Sequence, residues 1–183
     1  IGKYFQPATD AAVYSDHPEF PYKGIRNGAS LVAKDDHTSF SKINESFKTI
    51  TKRNYLNAAE VYFDLAEAAL RGWTGAGDAK TNYENGVKAS FADWGASGVD
   101  SYLADATSKP IDYNDPKSTG SVNDFVSRST VTVKWDDTDS NELKLEKIIT
   151  QKWLAGFYNP NEPWADFRRT GYPKLPTVYK NDS

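Results

Sequence analysis

The sequence predicts a mainly α-helical chain whose helices are set among long irregular loops. Three observations carry that expectation. Residues 54–71 and 78–94 each hold apolar residues at helical spacing, with only a short glycine-bearing linker between them. A further helical period runs from the polar run at 136–142 through Trp153. Against these, residues 1–53 are punctuated by Pro7, Pro18, Pro21, Gly24 and Gly28, and no apolar period there lasts more than a few residues.

In the first helical segment the polar residues Asn57, Glu60, Asp64, Glu67 and Arg71 fall three or four apart and make one narrow seam. The rest of its circumference is apolar or small, as expected of a helix buried between other elements. Gly72 supplies a left-handed C-terminal cap. In the second segment Asp78 is the expected N-cap, Tyr83, Val87, Ser90, Phe91 and Trp94 share a face, and Gly86 on that side permits close approach of a neighbouring helix. The linker Thr74-Gly75-Ala76-Gly77 makes the two helices antiparallel neighbours, with a core of Leu56, Tyr62, Leu65, Ala66, Ala69, Tyr83, Val87 and Phe91.

Later elements are shorter. A helical stretch is expected near Val99–Ala106 and an extended piece over Thr130–Trp135. Asp139 and Glu142 read as a capping box opening a helix that turns Leu145, Ile148, Ile149 and Trp153 inward, with Lys144, Lys147, Gln151 and Lys152 largely opposite. Pro160 and Pro163 break the chain before a short helix over Trp164–Arg169.

Composition removes several function classes. The 183 residues carry a formal charge of −3, without the basic footprint of a nucleic-acid binder. There is no Cys, hence no disulfide, thiolate metal site or cysteine nucleophile, and two His leave little for a multi-histidine site. No signal peptide, lipidation motif or membrane-spanning stretch is visible in this sequence. No nucleophile-elbow or phosphate-loop motif is present, so no catalytic residues and no cofactor are expected. Asp136, Asp137, Asp139, Asn141 and Glu142 approach a calcium-loop spacing but lack its glycine and distant bidentate Glu, so no metal site is expected either.

Aromatic residues make up 14% of the chain. Trp73, Trp94, Trp153 and Trp164 sit at helix ends or on helix faces and read as packing residues. Rings on loops suit ligand stacking better, because a carbohydrate offers an apolar C–H face to an aromatic plane and hydroxyls to its polar neighbours. Tyr4, Tyr14, Phe20, Tyr22, Tyr102 and Tyr113 qualify by context. Trp135 shares a face with Val131 and Val133, which favours packing, but acids follow it closely and it is the one Trp that also joins the ligand-binding candidates Tyr14, Tyr22, Tyr102 and Tyr113. Arg168 and Arg169 could clamp a carboxylate, although an ion pair locking the C-terminal turn is the simpler reading. His17 and His37 read as solvated loop residues.

The helix pair resembles one tetratricopeptide unit, carried by Tyr62, Leu65-Ala66 and the Tyr83-x-x-Gly86-Val87-x-x-Ser90 spacing, with a linker longer than standard. Two longer strings are more specific: Ala59–Trp73 (AEVYFDLAEAALRGW) followed by Asn85–Gly95 (NGVKASFADWG), and Ile148–Pro176 (IITQKWLAGFYNPNEPWADFRRTGYPKLP). Together with Tyr22-Lys23-Gly24-Ile25, Asn27-Gly28 and Phe40-Ser41-Lys42-Ile43, they resemble the C-terminal half of the SusD/RagB family over roughly residues 20–176. The resemblance implies a SusD-like helical fold and an outer-membrane nutrient-binding lipoprotein of Bacteroidetes. It further implies a lid on a TonB-dependent, SusC-like transporter barrel, capturing oligosaccharides at the cell surface. The same architecture binding peptides, or serving as a structural helical-repeat adaptor, stays open at this point.

The lipidated cysteine, the N-terminal repeats and the closing segment of that family are not in this sequence. The chain is therefore expected to be an internal slice of one SusD-like domain, anchored through a segment it does not contain. Because residues 54–71 are apolar nearly all round, the isolated slice is expected to be unstable or prone to aggregate.

Overall fold

The computed structural model describes all residues except 32, 34, 36, 50–54 and 180–183. The chain divides into two compact units. The first comprises residues 1–52, 111–128 and 175–183, and the second comprises 53–110 and 129–174.

The second unit is helical. Helix α1 runs Ala58–Leu70, α2 Ala79–Asp93, α3 Val99–Leu103, α4 Asn141–Ala155 and α5 Asn161–Thr170. The helix expected from residue 54 thus starts at Ala58, and position 54 itself lies outside the described residues. Leu56 precedes the first turn and is 66% exposed, so it is not a core residue. Gly72 takes φ +77°, and the amides of Gly72 and Trp73 return to the Ala69 and Ala68 carbonyls, closing α1 with a glycine cap. Asp78 caps α2 by accepting from the Thr81 amide at 2.8 Å.

The α1–α2 hairpin packs through Phe63 and Gly86. A Cβ built on Gly86 would meet three Phe63 ring atoms at 2.7–2.9 Å, so only glycine lets that ring lie against α2. Around them Ala59, Ala66, Tyr83, Val87, Trp135, Ile148, Ile149, Ala155 and Tyr172 form the core of this unit. The Tyr83 hydroxyl, buried with its ring, donates to the Val133 carbonyl at 2.6 Å.

Helix α4 departs from its expected polarity. Lys147, Gln151 and Lys152 are buried, not turned to solvent. Each has a fixed partner: Lys147 Nζ donates to the Lys134 carbonyl at 2.6 Å and pairs with Asp139 at 2.7 Å, and Gln151 accepts from Tyr102. Lys152 Nζ sits between Asp64 (2.6 Å) and Asp166 (2.9 Å). Burial pushes the Lys152 ammonium down, but these two carboxylates more than offset it and hold it above the usual lysine range. The polar seam of α1 is the other half of this arrangement. Glu67 takes bonds from Arg71 and Arg169, so α1, α4 and α5 are tied by ion pairs beside the apolar core.

Three further expectations are corrected. Ser140, not Asp139, caps α4, accepting from the Leu143 amide; Asp139 is drawn away by Lys147, and Glu142 by the Tyr172 hydroxyl. Residues 130–135 form no ladder, although Val131 and Trp135 are buried. Trp73 and Trp164 are 67% and 55% exposed. Trp164 stacks on Phe167 from the outside, and Trp73 is held by its backbone amide instead of its ring.

The first unit is almost free of regular structure among the described residues. Short 3-10 turns at Ala11–Tyr14, Glu45–Thr49 and Thr119–Ser121 alternate with extended backbone, and two isolated bridges join Phe5 to Ile43 and Tyr113 to Phe125. Residues 4–9 lie between two neighbouring stretches. The Gln6 amide bonds the Lys42 carbonyl, Ala8 bonds Pro21, and Thr9 bonds Ser39. Its small core is Ala8, Val13 and Phe40, with Tyr14 against it.

Candidate functional site

Tyr14, Phe20, Tyr22 and Tyr113 are among the rings that the first unit carries on its irregular segments. Asp10 caps the Ala11–Tyr14 turn by accepting from the Ala12 amide at 2.9 Å, and this fixes where Tyr14 leaves the backbone. Tyr14 is half-buried against the small core. Phe20 and Tyr22 pair with ring centroids 5.4 Å apart, tilted by 56°, and Phe20 is 41% exposed. Tyr113 lies on the bridge to Phe125, where burial, reinforced by the nearby Asp115 charge, pushes its hydroxyl well above the usual phenol range.

The polar groups between these rings are fixed. Lys23 Nζ is bound by both oxygens of Asp16, at 2.6 and 2.8 Å, and by the Asn114 carbonyl at 3.0 Å. Burial pushes the Asp16 carboxyl up, but the hydrogen bond and charge of Lys23 outweigh that and hold it below the usual carboxylate range. Deeper in, His37 Nε2 meets Asp115 Oδ2 at 2.8 Å, with the two side chains 2% and 0% exposed. Asn123 Nδ2 donates to the same oxygen at 2.7 Å and to the Ser30 carbonyl at 3.0 Å, while its Oδ1 accepts from the Ser30 amide at 2.7 Å. The reading of His37 as a solvated loop residue is therefore corrected: a partner 78 residues away buries it, and nothing local in the sequence announces that partner.

The five expected ligand residues divide between the units. Tyr14, Tyr22 and Tyr113 belong to the first, Tyr102 and Trp135 to the second. Tyr102 packs on Phe91, centroids 5.2 Å apart, and its hydroxyl donates to Gln151 at 3.0 Å. Trp135 is 7% exposed, lies 5.2 Å from Tyr83, and donates from Nε1 to Asp137 at 3.0 Å. The structure thus brings these two into the helical core and leaves the other three on the irregular segments of the first unit.

Elsewhere the chemistry is occupied. Arg169 pairs with Glu67 and Asp166, as the simpler reading has it. Asp136 accepts from Thr138, Asp137 from Trp135, Asp139 pairs with Lys147, and Glu142 accepts from Tyr172. No group of three or more His, Cys, Asp or Glu able to hold a metal occurs among the described residues. A polar cleft in the second unit is lined by Asn57, Glu60, Lys152, Gly156, Asn159, Glu162 and neighbours, with about 10 Å³ inside. That is room for one water and far too little for a sugar ring. No helix among the described residues is long and apolar enough to cross a membrane.

Comparison with known proteins adds the following. A family model described as SusD-like, the SusD and RagB outer membrane lipoproteins, matches residues 1–183. A SusD-like protein from Bacteroides thetaiotaomicron of known structure is 38% identical over 100% of this chain and 37% of its own, with a TM-score of 0.85. A chitin-binding SusD homologue from Flavobacterium johnsoniae is 46% identical over 98% of this chain and 35% of its own, with a TM-score of 0.83. A SusD homologue from Bacteroides uniformis is 40% identical over 98% of this chain and 36% of its own, with a TM-score of 0.79. The chain therefore spans little more than a third of the length of these structures. No curated protein matches it.

Proposed function

This chain belongs to the SusD-like family of SusD and RagB outer-membrane lipoproteins, and from that premise we propose that it is part of a surface-exposed glycan-binding protein. The whole protein binds oligosaccharides without cleaving them and delivers them to a TonB-dependent, SusC-like barrel. Its lipid anchor lies in a segment outside this chain. The observation that carries the reading is the 46% identity, over nearly the whole chain, to a homologue that binds chitin. The loop rings of the first unit support it, since half-exposed aromatic planes beside fixed polar groups match the two kinds of surface a sugar presents.

Sugar hydroxyls exchange water hydrogen bonds for protein ones at a net gain of about 1 kcal/mol each. Ring contact therefore decides affinity more than any single polar contact. N-acetylglucosamine oligomers are the first ligands to titrate into the intact protein, alongside a glycan array. Binding to at least one oligosaccharide, weakened by Tyr22→Ala with an unchanged melting temperature, is the expected result. An array without a single bound glycan, or release of reducing ends by the purified protein, overturns it.

A further inference from the structure

We infer that Asp115 is the positioning residue of the ring-bearing loops in the first unit, acting through His37 on one side and through its neighbour Asn114 on the other. The inference rests on the glycan-surface reading for its purpose, but not for its geometry.

The Asp115 side chain is fully buried and both of its oxygens are bonded. Oδ2 accepts from His37 Nε2 and Asn123 Nδ2, and Oδ1 accepts from the Lys117 amide at 2.9 Å. Its own amide donates to Asp124 Oδ1 at 2.8 Å. Turning this carboxylate would leave at least one buried donor unpaired, which costs about 1–3 kcal/mol per group, so it holds one orientation.

Three rings hang from that fixed point. The His37 imidazole lies 4.6 Å from Phe40, which is 1% exposed and packs with Ala8 and Val13 in the cluster that carries Tyr14. The Asn114 carbonyl holds Lys23 Nζ, which also grips Asp16. Lys23 directly follows Tyr22 in the chain, and Asp16 comes two residues after Tyr14. Tyr113 opens the same triplet. In an irregular unit no helix or sheet sets the angle between rings, and a stacking surface works only when its rings are held before the ligand arrives. Asp115 supplies what a regular element would otherwise provide.

The test is ¹⁹F NMR of the intact protein labelled with 3-fluorotyrosine, wild type against Asp115→Asn, with resonances assigned by Tyr→Phe variants. The expected result is that the Tyr14 and Tyr22 signals shift or broaden while those of Tyr83 and Tyr102 in the second unit stay in place. Glycan affinity should fall at least five-fold. Unmoved Tyr14 and Tyr22 signals overturn the inference. So does a uniform change in all four, since that reports general loss of folding. Should Asp115→Asn not fold, His37→Gln keeps a donor for Asp115 while removing the ring on Phe40, and the same signals decide. If the rings move but Tyr14→Ala and Tyr22→Ala leave glycan affinity unchanged, the glycan-surface reading fails and the positioning role stands.

Discussion

In the second unit, helices set by local sequence come together on an apolar core, and long polar side chains lock them in place. In the first, extended loops are held by backbone bonds between distant stretches and by a buried network of polar side chains. Lys152 in α4 and Asp115 in the loops show the difference. Lys152 ties together elements that already exist, joining α1 to α5 through Asp64 and Asp166. Asp115, with His37 and Asn123, joins segments that have no helix or sheet to hold them. An ordered polar network can substitute for secondary structure when all its members are satisfied, but each member then carries more of the fold. That is also where candidate ligand rings can be both exposed and fixed.

Removing a hub has the largest expected effect. Lys152→Ala leaves the buried Asp166 carboxylate with Arg169 as its remaining cation, and should cost about 2–4 kcal/mol in urea unfolding monitored by helical circular dichroism. Lys152→Met should recover some packing but little of that loss. Next comes Asn123→Ala in the first unit, which strips the Ser30 amide and carbonyl of their partners. Its expected cost is about 1–3 kcal/mol, mainly from the buried Asp115 oxygen that loses a donor, because Ser30 is itself exposed and can turn its amide and carbonyl to water. A loss below about 1 kcal/mol would mean that water takes over the role and that the loops are less dependent on the network than the comparison claims.

Gly86→Ala tests the close approach in the hairpin. Its Cβ must displace the Phe63 ring, and the expected cost is about 1–3 kcal/mol in the same assay. Gly86→Ala with Phe63→Leu should regain part of it.

A pH series sharpens the contrast. Burial pushes the Glu67 carboxyl up, but hydrogen bonds from Arg169 and Arg71 prevail and hold it below the usual range. A carboxylate depressed by folding contributes stability that is complete above its unfolded value of about 4.3 and is lost as pH falls through the folded value. Wild type should therefore exceed Glu67→Gln in stability at neutral pH, with the gap closing below about pH 4. A gap independent of pH would assign the effect to packing. Smallest of all is Trp73→Ala: the ring is 67% exposed, and the change in melting free energy should stay within about 0.5 kcal/mol.

Local sequence was enough to find the helices of the second unit, though not every start or cap. The 3.6-residue period, the Asp78 cap and the Gly72 stop are all written within a few residues of where they act, because capping and period are local physics. The family resemblance was likewise legible in the strings around α1, α2, α4 and α5. What the sequence could not say is which polar residues would be buried. Lys147 and Lys152 carry the pattern of a solvated face, and His37 that of a loop residue, yet partners from 13 to 88 residues away take all three inside. Trp73 and Trp164 went the other way, apolar by type and exposed by position. The free energy that settles such residues is the balance between desolvation and a specific partner, and the partner exists only once the chain has folded. For the same reason Tyr102 was legible as a ring but not as core, Trp135 only as a ring with a packing face, and the tertiary structure separated both from Tyr14, Tyr22 and Tyr113.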